Sequence, residues 1–560
     1  MNSKIISDID QLFHNSGIIQ DKRFDVFFNI LKKYNAGNAV DNNGAILEKQ
    51  VIAELQKLDF TDRELLQECF MKLCSDFTKY KLDQFYTPIT IATFINNLMI
   101  GSDSSGSSDD NIVIEPACGT GDLVLQFKSN KYLWDIDNDV LKLCEFNYLL
   151  SNSANYKIEC KNSLKDFGEY ISVATYVVIN PPFGSNTTTA DAEILNKFSL
   201  GFNKKKQELG ILFVELGMKL LKDDGILFII LPSGYLGNKN KACSELRKFI
   251  MNYRVIASIQ LPKNTFKRSG TGVNTHLLII QKTIATKPYE IFISDVVNIG
   301  YDLSKKNTPH KYKVNTYTGE IMTLNGVNMI DDDLVDIYHR LSYFSKKNNI
   351  KNIKHIDIDA SCIGSDYEFI LSDKLDSGIL DVKRYTHRYL SAIQTLIATN
   401  NSKKIKDLSK IHNKLAKIEK NRKYKYIDIG EINTPFYSYR ELYGFELPSR
   451  AKYLVNKNDI IISKLEGKIS YTLICHDIDN LIVTNGVSII RPNDDNALYI
   501  IFNNIIREHF KVQHYSLTTG SIMASLTDND LLNMRLDCDG SNTEITKKVI
   551  DTINFFTHNY

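Results

Sequence analysis

The sequence predicts an α/β fold with a Rossmann-like, doubly wound sheet in the middle of the chain. Short apolar runs alternate there with helical patterns, which is typical of parallel strands joined by crossover helices. These runs lie at 112–114, 132–136, 176–179, 226–231 and 255–261. We expect a helical region before this sheet and a separate α+β domain after it.

We divide the 560 residues into four segments: a helical domain 1–80, the α/β domain 81–300, a polar connector 301–355 and an α+β domain 356–560. In the first segment, Thr61 and Glu64 have the spacing of a capping box. In the last segment, apolar runs predict strands at 426–429, 460–463, 481–483 and 487–490, and helical patterns lie near 385–398 and 543–556.

The composition is that of an ordinary globular protein. It is 43% hydrophobic and 24% charged with a net charge of +2, and this balance alone indicates no class of partner. The chain starts without an apolar signal-peptide core, and no run approaches the roughly 18 apolar residues of a membrane helix. The nine cysteines form no CxxC pair. We therefore expect a cytoplasmic protein without a metal or a membrane partner.

A glycine-containing turn follows the first apolar run, with the sequence Glu115-Pro116-Ala117-Cys118-Gly119-Thr120-Gly121. Glycines let the backbone approach a ligand closely, and an acid at a strand end suits ribose hydroxyls or an ammonium group. The next run ends Trp134-Asp135-Ile136-Asp137. Either aspartate could bind ribose hydroxyls, and strand alternation favours Asp135. The alternatives are a tight turn without a ligand and two solvated acids.

The run 176–179 ends in Asn180-Pro181-Pro182-Phe183. Two prolines fix the backbone and lack N–H donors, which leaves the carbonyl of Pro181 available to a pocket. With the Asn180 side-chain carbonyl it can accept both hydrogens of an exocyclic amine. Two acceptors draw the nitrogen toward tetrahedral geometry, and Phe183 offers a ring face for a base. We predict that residues 180–183 are catalytic.

These motifs, with Gln84-Phe85-Tyr86-Thr87-Pro88, resemble those of the N6-adenine DNA methyltransferases, specifically the modification subunits of type I restriction systems. The resemblance spans roughly 80–285 and includes Gly225–Pro232, Leu261-Pro262, Phe266 and Thr271-Gly272-Val273. It implies a methyltransferase sheet with an added antiparallel strand at 276–281, S-adenosyl-L-methionine as methyl donor, and double-stranded DNA as substrate. It also implies a bacterial or phage origin.

The same resemblance implies site residues. It assigns cofactor contacts to Tyr86, Thr87, Pro88, Glu115, Pro116, Cys118, Gly119, Thr120, Gly121, Asp135 and Asn162. Asn162 stands where the family often has an aspartate that contacts the cofactor's adenine. Phe266 is expected to bind DNA.

Residues 356–560 resemble one half of a type I specificity subunit, which implies a single target recognition domain. The matching features lie at 381–385, 424–432, 457–467, 485–487 and 519–521, and Lys464, Gly520 and Ser521 are expected to contact DNA. Between 403 and 425 stand ten basic residues and two acidic ones, which predicts contacts with phosphates. The alternative is a solvated helical face.

Three other interpretations remain open. Asp459 with Glu466-Gly467-Lys468 imitates a nuclease pattern, although we interpret Asp459 as a turn residue before a strand. The chain could be a non-catalytic DNA-binding or specificity subunit, or a methyltransferase of RNA or of protein glutamine. A homodimer and a restriction subunit are the further partners that the resemblance implies.

Overall fold

A computed structural model describes residues 2–35, 46–59, 69, 73, 87–100, 111–183, 187–267, 272–285, 288–305, 308–356, 368–399, 401–467, 469–539 and 543–558. The chain divides into two compact units, Met1–Leu380 and Asp381–Tyr560. The capping box at 61–64, Tyr86 and Thr271 lie outside the described residues.

The first unit contains thirteen strands among its described residues. They are β1 (Ile112–Glu115), β2 (Asn130–Asp135), β3 (Tyr156–Cys160), β4 (Ala174–Ile179), β5 (Thr188–Thr189), β6 (Gln207–Glu208), β7 (Leu221–Pro232), β8 (Arg254–Gln260), β9 (Thr275–Gln281), β10 (Glu290–Asp295), β11 (Thr323–Leu324), β12 (Val327–Asn328) and β13 (Glu368–Leu371). Nine of them form one sheet in the order β13-β10-β8-β9-β7-β4-β1-β2-β3. The other four form two small antiparallel pairs, β5 with β6 and β11 with β12.

Helices cover both faces of this sheet. The helices of the first unit are α1 (Asn2–Asn15), α2 (Gln20–Asn35), α3 (Ile46–Leu55), α4 (Ile89–Leu98), α5 (Asn138–Leu150), α6 (Ala192–Asn196), α7 (Leu209–Leu220), α8 (Ser233–Gly237), α9 (Lys241–Ile250) and α10 (Leu334–Lys347). One core lies between the sheet and α4, α5 and α10, and the other between the sheet and α7 and α9. Successive residues of a buried strand such as β4 enter opposite cores, because side chains alternate across a sheet.

The predicted doubly wound sheet is confirmed. Each of the five apolar runs overlaps a strand, and β1, β2, β3, β4 and β7 are mutually parallel where they pair. The added antiparallel strand is β9, which lies between β7 and β8 and runs antiparallel to both.

The N-terminal helices do not form a unit of their own, contrary to the expected domain 1–80. Phe24, Phe27 and Phe28 surround Phe146 of α5 with ring centroids 5.0, 5.6 and 5.7 Å from it. Their common core with Leu143, Phe146 and Leu150 of α5 makes them part of the first unit.

The predicted connector at 301–355 is wrong, as is the boundary at 300. Residues up to Leu380 belong to the first unit. Helix α10 buries Leu334, Leu341 and Phe344 in the core beside the sheet, and β10 and β13 extend that sheet. The segment was predicted to be a connector because it is polar overall. The apolar residues of α10 nevertheless recur at helical spacing.

The second unit contains two four-stranded sheets and several helices. Its strands are β14 (Ser402–Lys404), β15 (Ser409–Ile411), β16 (Lys423–Ile427), β17 (Ile432–Asn433), β18 (Phe436–Tyr437), β19 (Arg440–Tyr443), β20 (Ala451–Leu454), β21 (Ile460–Ser463), β22 (Tyr471–Leu473), β23 (Leu481–Thr484), β24 (Val487–Pro492) and β25 (Arg535–Asp537). Its helices are α11 (His387–Ala398), α12 (Ile405–Leu408), α13 (Asp495–Ile505), α14 (Glu508–Leu517), α15 (Asp528–Asn533) and α16 (Thr543–His558). The sheets have the orders β15-β24-β21-β22 and β19-β16-β23-β20.

The four strands and two helices predicted for this region are all present, at β16, β21, β23, β24, α11 and α16. The α+β character is therefore confirmed, although the unit begins at Asp381 and not at residue 356. Just after that boundary, Lys383 and Arg384 are buried and bind Glu466 and Asp530 at 2.9 and 3.5 Å. This segment is thus anchored in the core of the second unit.

Candidate active site

The candidate site lies where three parallel strands end side by side. Strand β1 ends at Glu115, β2 ends at Asp135, and Asn180 directly follows β4. Because β1 pairs with both β2 and β4, these three ends are adjacent. The order of strands along the chain reverses between β1 and β4, and ligands of doubly wound proteins bind at such switch points.

The turn after β1 is held by hydrogen bonds from its backbone. The Cys118 N–H donates to the carbonyl of Trp134 at 2.9 Å, and the Gly119 N–H donates to Asp135 Oδ2 at 2.9 Å. Gly119 and Gly121 have φ values of 53° and 75°, in the left-handed region that favours glycine. The turn is therefore fixed against β2 before any ligand binds.

Position 121 requires glycine for two reasons, the close packing around it and its φ value. A Cβ atom there would lie 2.6 Å from Cys144 Sγ and 2.8 Å from Tyr148 Cε2, both on α5. The Tyr148 hydroxyl also donates to the Gly121 carbonyl at 3.2 Å. The missing side chain thus lets the turn lie directly on α5.

The two aspartates after β2 have different environments. Asp135 is 9% exposed and accepts hydrogen bonds from the N–H groups of Gly119 and Asp137, at 2.9 and 3.0 Å. Asp137 caps α5 by accepting from the N–H groups of Asp139 and Val140 at 2.9 and 3.3 Å. Because Asp137 serves as a cap, the geometry favours Asp135 as the ligand candidate. Burial raises the pKa of Asp135, against the opposing effect of its backbone donors.

Glu115 is a buried carboxyl with an unused acceptor. It is 1% exposed, and within the described part of the chain its Oε2 has no hydrogen-bond partner. Burial raises its pKa well above the ordinary value, with smaller contributions from Cys144, Asp122 and Asp135. Since an unpaired buried carboxyl is unfavourable, this position fits a cationic or hydrogen-bond-donating ligand group.

The Asn180 side chain is oriented by a hydrogen bond to Thr87. Its Nδ2 donates to Thr87 Oγ1 at 3.1 Å, and Thr87 is buried. Its Oδ1 is buried, and no described residue donates to it. The amide therefore presents a free carbonyl oxygen, while its N–H group is engaged by Thr87. Next to it, Pro181 is buried and Pro182 is exposed.

Phe183 is half-buried and meets Phe266 edge-on, with ring centroids 5.5 Å apart and planes at 77°. Phe266 itself is only 1% exposed. Phe266 therefore has almost no exposed surface with which to contact DNA. Its expected role in DNA binding stays a prediction.

The other predicted cofactor residues lie around the same turn. Asn162 is half-buried, and its Oδ1 accepts from the Leu164 N–H at 3.1 Å. The neighbouring Ser163 hydroxyl donates to the Pro116 carbonyl, which joins this loop to the turn. Thr120 Oγ1 donates to Asp122 Oδ2 at 2.5 Å. Cys118 is buried, and burial raises its thiol pKa. Pro88 is the residue directly before α4, and its side chain forms no capping hydrogen bond.

Ile136 is a candidate that the sequence prediction missed. It stands between the two aspartates and is 69% exposed, although it follows a buried strand directly. An exposed branched apolar residue at the mouth of a site suits contact with a flat ring. An apolar residue between two acids at a strand end was the signal available in the sequence.

Two of the residues expected to bind DNA in the second unit already have structural roles. Lys464 is paired with Asp528 at 2.9 Å, and Asp528 also accepts from the hydroxyl of Ser488 at 2.6 Å. Gly520 has a φ of 133°, and a Cβ atom there would lie 3.0 Å from the Met523 carbonyl oxygen. Ser521 is half-buried. Their contacts with DNA remain predictions.

The nuclease-like pattern does not form a common site. Asp459 is fully buried, and both of its carboxylate oxygens accept from Arg491 at 2.7 Å. It also accepts from the Asn456 N–H at 2.8 Å just before β21, as a turn residue does. Glu466 binds Lys383 instead. In the described ranges, no group of three or more potential metal ligands is present.

None of the described helices is long and apolar enough to cross a membrane.

The doubly wound sheet, with its glycine turn after β1 and Asn180 after β4, has the architecture that the sequence resemblance implies for an S-adenosylmethionine-dependent methyltransferase. Residues 62–362 match the model of the N-6 DNA Methylase family, which is more than half of the 560-residue chain. The chain therefore belongs to the N-6 DNA methylase family.

Individual relatives are more distant. The Type I restriction enzyme MjaVIII methylase subunit of Methanocaldococcus jannaschii is 24% identical over 264 residues, which cover 42% of this chain and 44% of that protein. The chain thus spans less than half the length of this curated relative.

Two solved structures are also similar. A type I restriction-modification methyltransferase subunit from Streptococcus thermophilus is 18% identical, with a TM-score of 0.43 and coverage of 68% of this chain and 80% of that one. The type IIG restriction endonuclease BpuSI is 12% identical, with a TM-score of 0.46 and coverage of 99% and 72%. Both TM-scores are low, and the fold assignment rests on the sheet topology.

Proposed function

We propose that this protein transfers a methyl group from S-adenosylmethionine to the exocyclic amine of adenine in double-stranded DNA. The observation that carries the proposal is the Asn180 amide at the switch point of the sheet. Its carbonyl oxygen is buried, and no described residue donates a hydrogen bond to it. A free carbonyl in that place suits an amine hydrogen. Membership of the N-6 DNA methylase family supports adenine as the source of that amine.

The residues around the turn fit the proposed cofactor, which supplies an electrophilic methyl group when bound. Glu115, with its unpartnered oxygen, would bind the ammonium of the methionine part, and Asp135 would accept from the ribose hydroxyls. Ile136 offers apolar contact to the adenine ring, whose edge Asn162 would meet. The turn at Gly119 brings the backbone close to the methionine part.

Alignment is the main contribution of the protein in this proposal. A stacked adenine cannot present its amine to a buried site, so the base must leave the duplex. Phe183 would stack on the base, and Asn180 Oδ1 with the Pro181 carbonyl would accept the two amine hydrogens. The amine lone pair is then directed at the methyl group. No strong general base is needed, because the methylated amine is transiently cationic and acidic.

Thr87 acts on this step through Asn180. Its hydroxyl engages the Asn180 Nδ2 and thereby determines which end of the amide faces the base. We assign Thr87 a positioning role, which differs from the cofactor contact expected from the sequence.

We further propose that the second unit selects the target sequence, as one recognition domain per chain. A monomer would then methylate a short asymmetric site, and a symmetric dimer would favour a two-part palindrome. We also propose a restriction subunit as a partner, because the Methanocaldococcus jannaschii relative is named as a subunit of a type I restriction enzyme. The basic stretch at 403–425 supports a nucleic acid over a protein glutamine as the substrate, and membership of the N-6 DNA methylase family supports DNA over RNA.

The test uses two matched duplexes: single-turnover methylation is measured on a duplex with adenine at the target position, and base flipping on one with 2-aminopurine there, because 2-aminopurine has no 6-amine to accept a methyl group. Asn180→Ala should lower the methyl-transfer rate by a factor on the order of a hundred, the scale of losing a positioned polar group at a reacting centre. Fluorescence of the 2-aminopurine duplex should still rise on mixing, because Phe183 can stack on the flipped base and this base has no 6-amine for Asn180 to hold. Methyl transfer by Asn180→Ala at the wild-type rate contradicts the proposal. So does preferential methylation of RNA or of a glutamine-containing protein.

A further inference from the structure

The second unit carries a surface that combines free lysines with exposed aromatic rings. We define the basic–aromatic surface as Lys420, Lys423, Lys425, Tyr443 and Phe445. The rings of Tyr443 and Phe445 are stacked, with centroids 5.7 Å apart and planes at 7°. They are 40% and 65% exposed, so the pair presents a flat apolar area to solvent.

Lysines flank these rings. Lys423 on β16 lies opposite Tyr443 on β19, and its Nζ is 5.4 Å from the ring centroid. Lys425 Nζ lies 4.9 Å from the ring of Tyr439, which is 38% exposed. Strand β19 is at the edge of its sheet, so no further described strand pairs with its outer side.

The loop before β16 is fixed against the aromatic residues by backbone contacts. The N–H groups of Gly444 and Phe445 donate to the carbonyls of Arg422 and Lys420, at 3.0 and 3.2 Å. A Cβ atom at Gly444 would lie 2.2 Å from the Glu419 carbonyl oxygen, so only glycine permits this approach. The lysines and the ring pair therefore form one built surface.

Basic residues outnumber acidic ones in this region. None of the nine lysines between 403 and 425 forms an ion pair with any carboxylate in the described part of the chain. Among the described residues, Arg422 is paired with Glu419, at 3.7 Å. The acids near the rings are Glu441, opposite Lys425, and Glu446, which accepts from the Tyr443 N–H at 2.7 Å. The excess positive charge suits a polyanion.

We propose that the basic–aromatic surface is the duplex-DNA contact of the second unit. Lys420, Lys423 and Lys425 bind backbone phosphates, and the Tyr443–Phe445 pair packs against sugars or a base step. The positive charge selects a nucleic acid over an apolar protein surface, and exposed rings beside phosphate-binding lysines occur where a side chain enters a groove. This inference rests on the proposed function, since it places the DNA that the first unit modifies.

The test is a titration of a fluorescent duplex with the full-length protein at several salt concentrations. The doubly substituted Lys423→Gln, Lys425→Gln protein should bind more weakly, and the slope of log K against log salt should become smaller by about 2, since each lost phosphate contact contributes about 0.9. The Tyr443→Ala, Phe445→Ala protein should lose roughly tenfold in affinity with an unchanged slope, because stacking releases no counterions. The matched control is Lys511→Gln, Lys548→Gln, which removes two exposed lysines on α14 and α16 and should bind as the wild type does.

Each outcome is decisive. If the wild type binds duplex DNA and both patch variants keep its affinity and its slope, the surface is wrong while the proposed function stands. Equal loss in the lysine control also overturns it, because the effect is then one of net charge.

Tighter binding of single-stranded RNA than of duplex DNA excludes duplex DNA as the ligand. If the wild type binds cofactor but no DNA, the proposed function itself fails. Cofactor affinity of the variants shows that they are folded.

Discussion

At the scale of single residues, Glu115 is the most informative titratable group in the site. Its pKa is raised by burial, so the protonated form is favoured in the folded protein. Stability from such a group is present below its unfolded pKa and is lost as the pH rises through the folded value. Without cofactor, Glu115→Gln should therefore be more stable than the wild type at pH 8, and the difference should shrink toward acidic pH.

Paired thermal melts with and without S-adenosylmethionine measure this. The cofactor should stabilise the wild type more than Glu115→Gln, because the glutamine cannot offer a charged partner to the ammonium. If the difference in melting temperature between Glu115→Gln and the wild type does not change with pH, Glu115 is not a buried carboxyl with a raised pKa.

Thr87 gives the second test at this scale. Thr87→Val keeps the shape of the side chain and removes the oxygen that accepts from Asn180. We expect kcat to fall roughly fivefold to tenfold, the value of one hydrogen bond, with an unchanged KM for S-adenosylmethionine. Thr87→Ser should retain most of the activity. A raised KM for the cofactor with normal kcat would instead assign Thr87 to the cofactor site.

At the scale of elements, the turn 116–121 has two roles: it brings the backbone close to the proposed cofactor, and it packs against α5. Gly121→Val forces a Cβ atom to within 2.6 Å of Cys144 Sγ, at a φ of 75° that a valine rarely adopts. Overpacking and left-handed strain together should lower the free energy of unfolding by roughly 2 kcal/mol or more, even without cofactor. Chemical denaturation of the cofactor-free protein measures this. A variant that loses only cofactor affinity would mean that the glycine serves ligand approach alone.

The elements also show what could be predicted from the sequence. The strands β1, β2, β4, β7 and β8 were predictable because buried parallel strands form continuous apolar runs. Helix α10 was missed because polar residues surround its four core positions, and β13 because its pairing with β10 is not local. In the site, Asn180 was evident from its prolines, whereas its hydrogen bond to Thr87 joins residues 93 positions apart and leaves no local pattern.

At the scale of the whole molecule, the boundary between the two units shows where the chain should be truncated to test the role of the second unit. The Leu380 carbonyl accepts from the Ser258 hydroxyl at 2.8 Å, and the Leu380 N–H donates to the Leu236 carbonyl at 3.1 Å. A fragment 1–380 should therefore bind S-adenosylmethionine as the full chain does, and a fragment 1–356, which lacks β13, should be less stable. Neither should methylate a specific sequence. Sequence-specific methylation by fragment 1–380 would show that the second unit does not choose the target.

The central claim is methyl transfer to adenine in DNA through Asn180, and the most direct measurement is long-read detection of modified bases in a host that expresses this chain alone. We expect N6-methyladenine at one recurring sequence in cells with the wild-type protein. Cells with an equal amount of Asn180→Ala should carry far less of it at that sequence, although the variant still binds cofactor. Adenine methylation at the wild-type level in the Asn180→Ala cells would contradict the account, as would unmodified adenine in cells that contain folded, cofactor-binding wild-type protein.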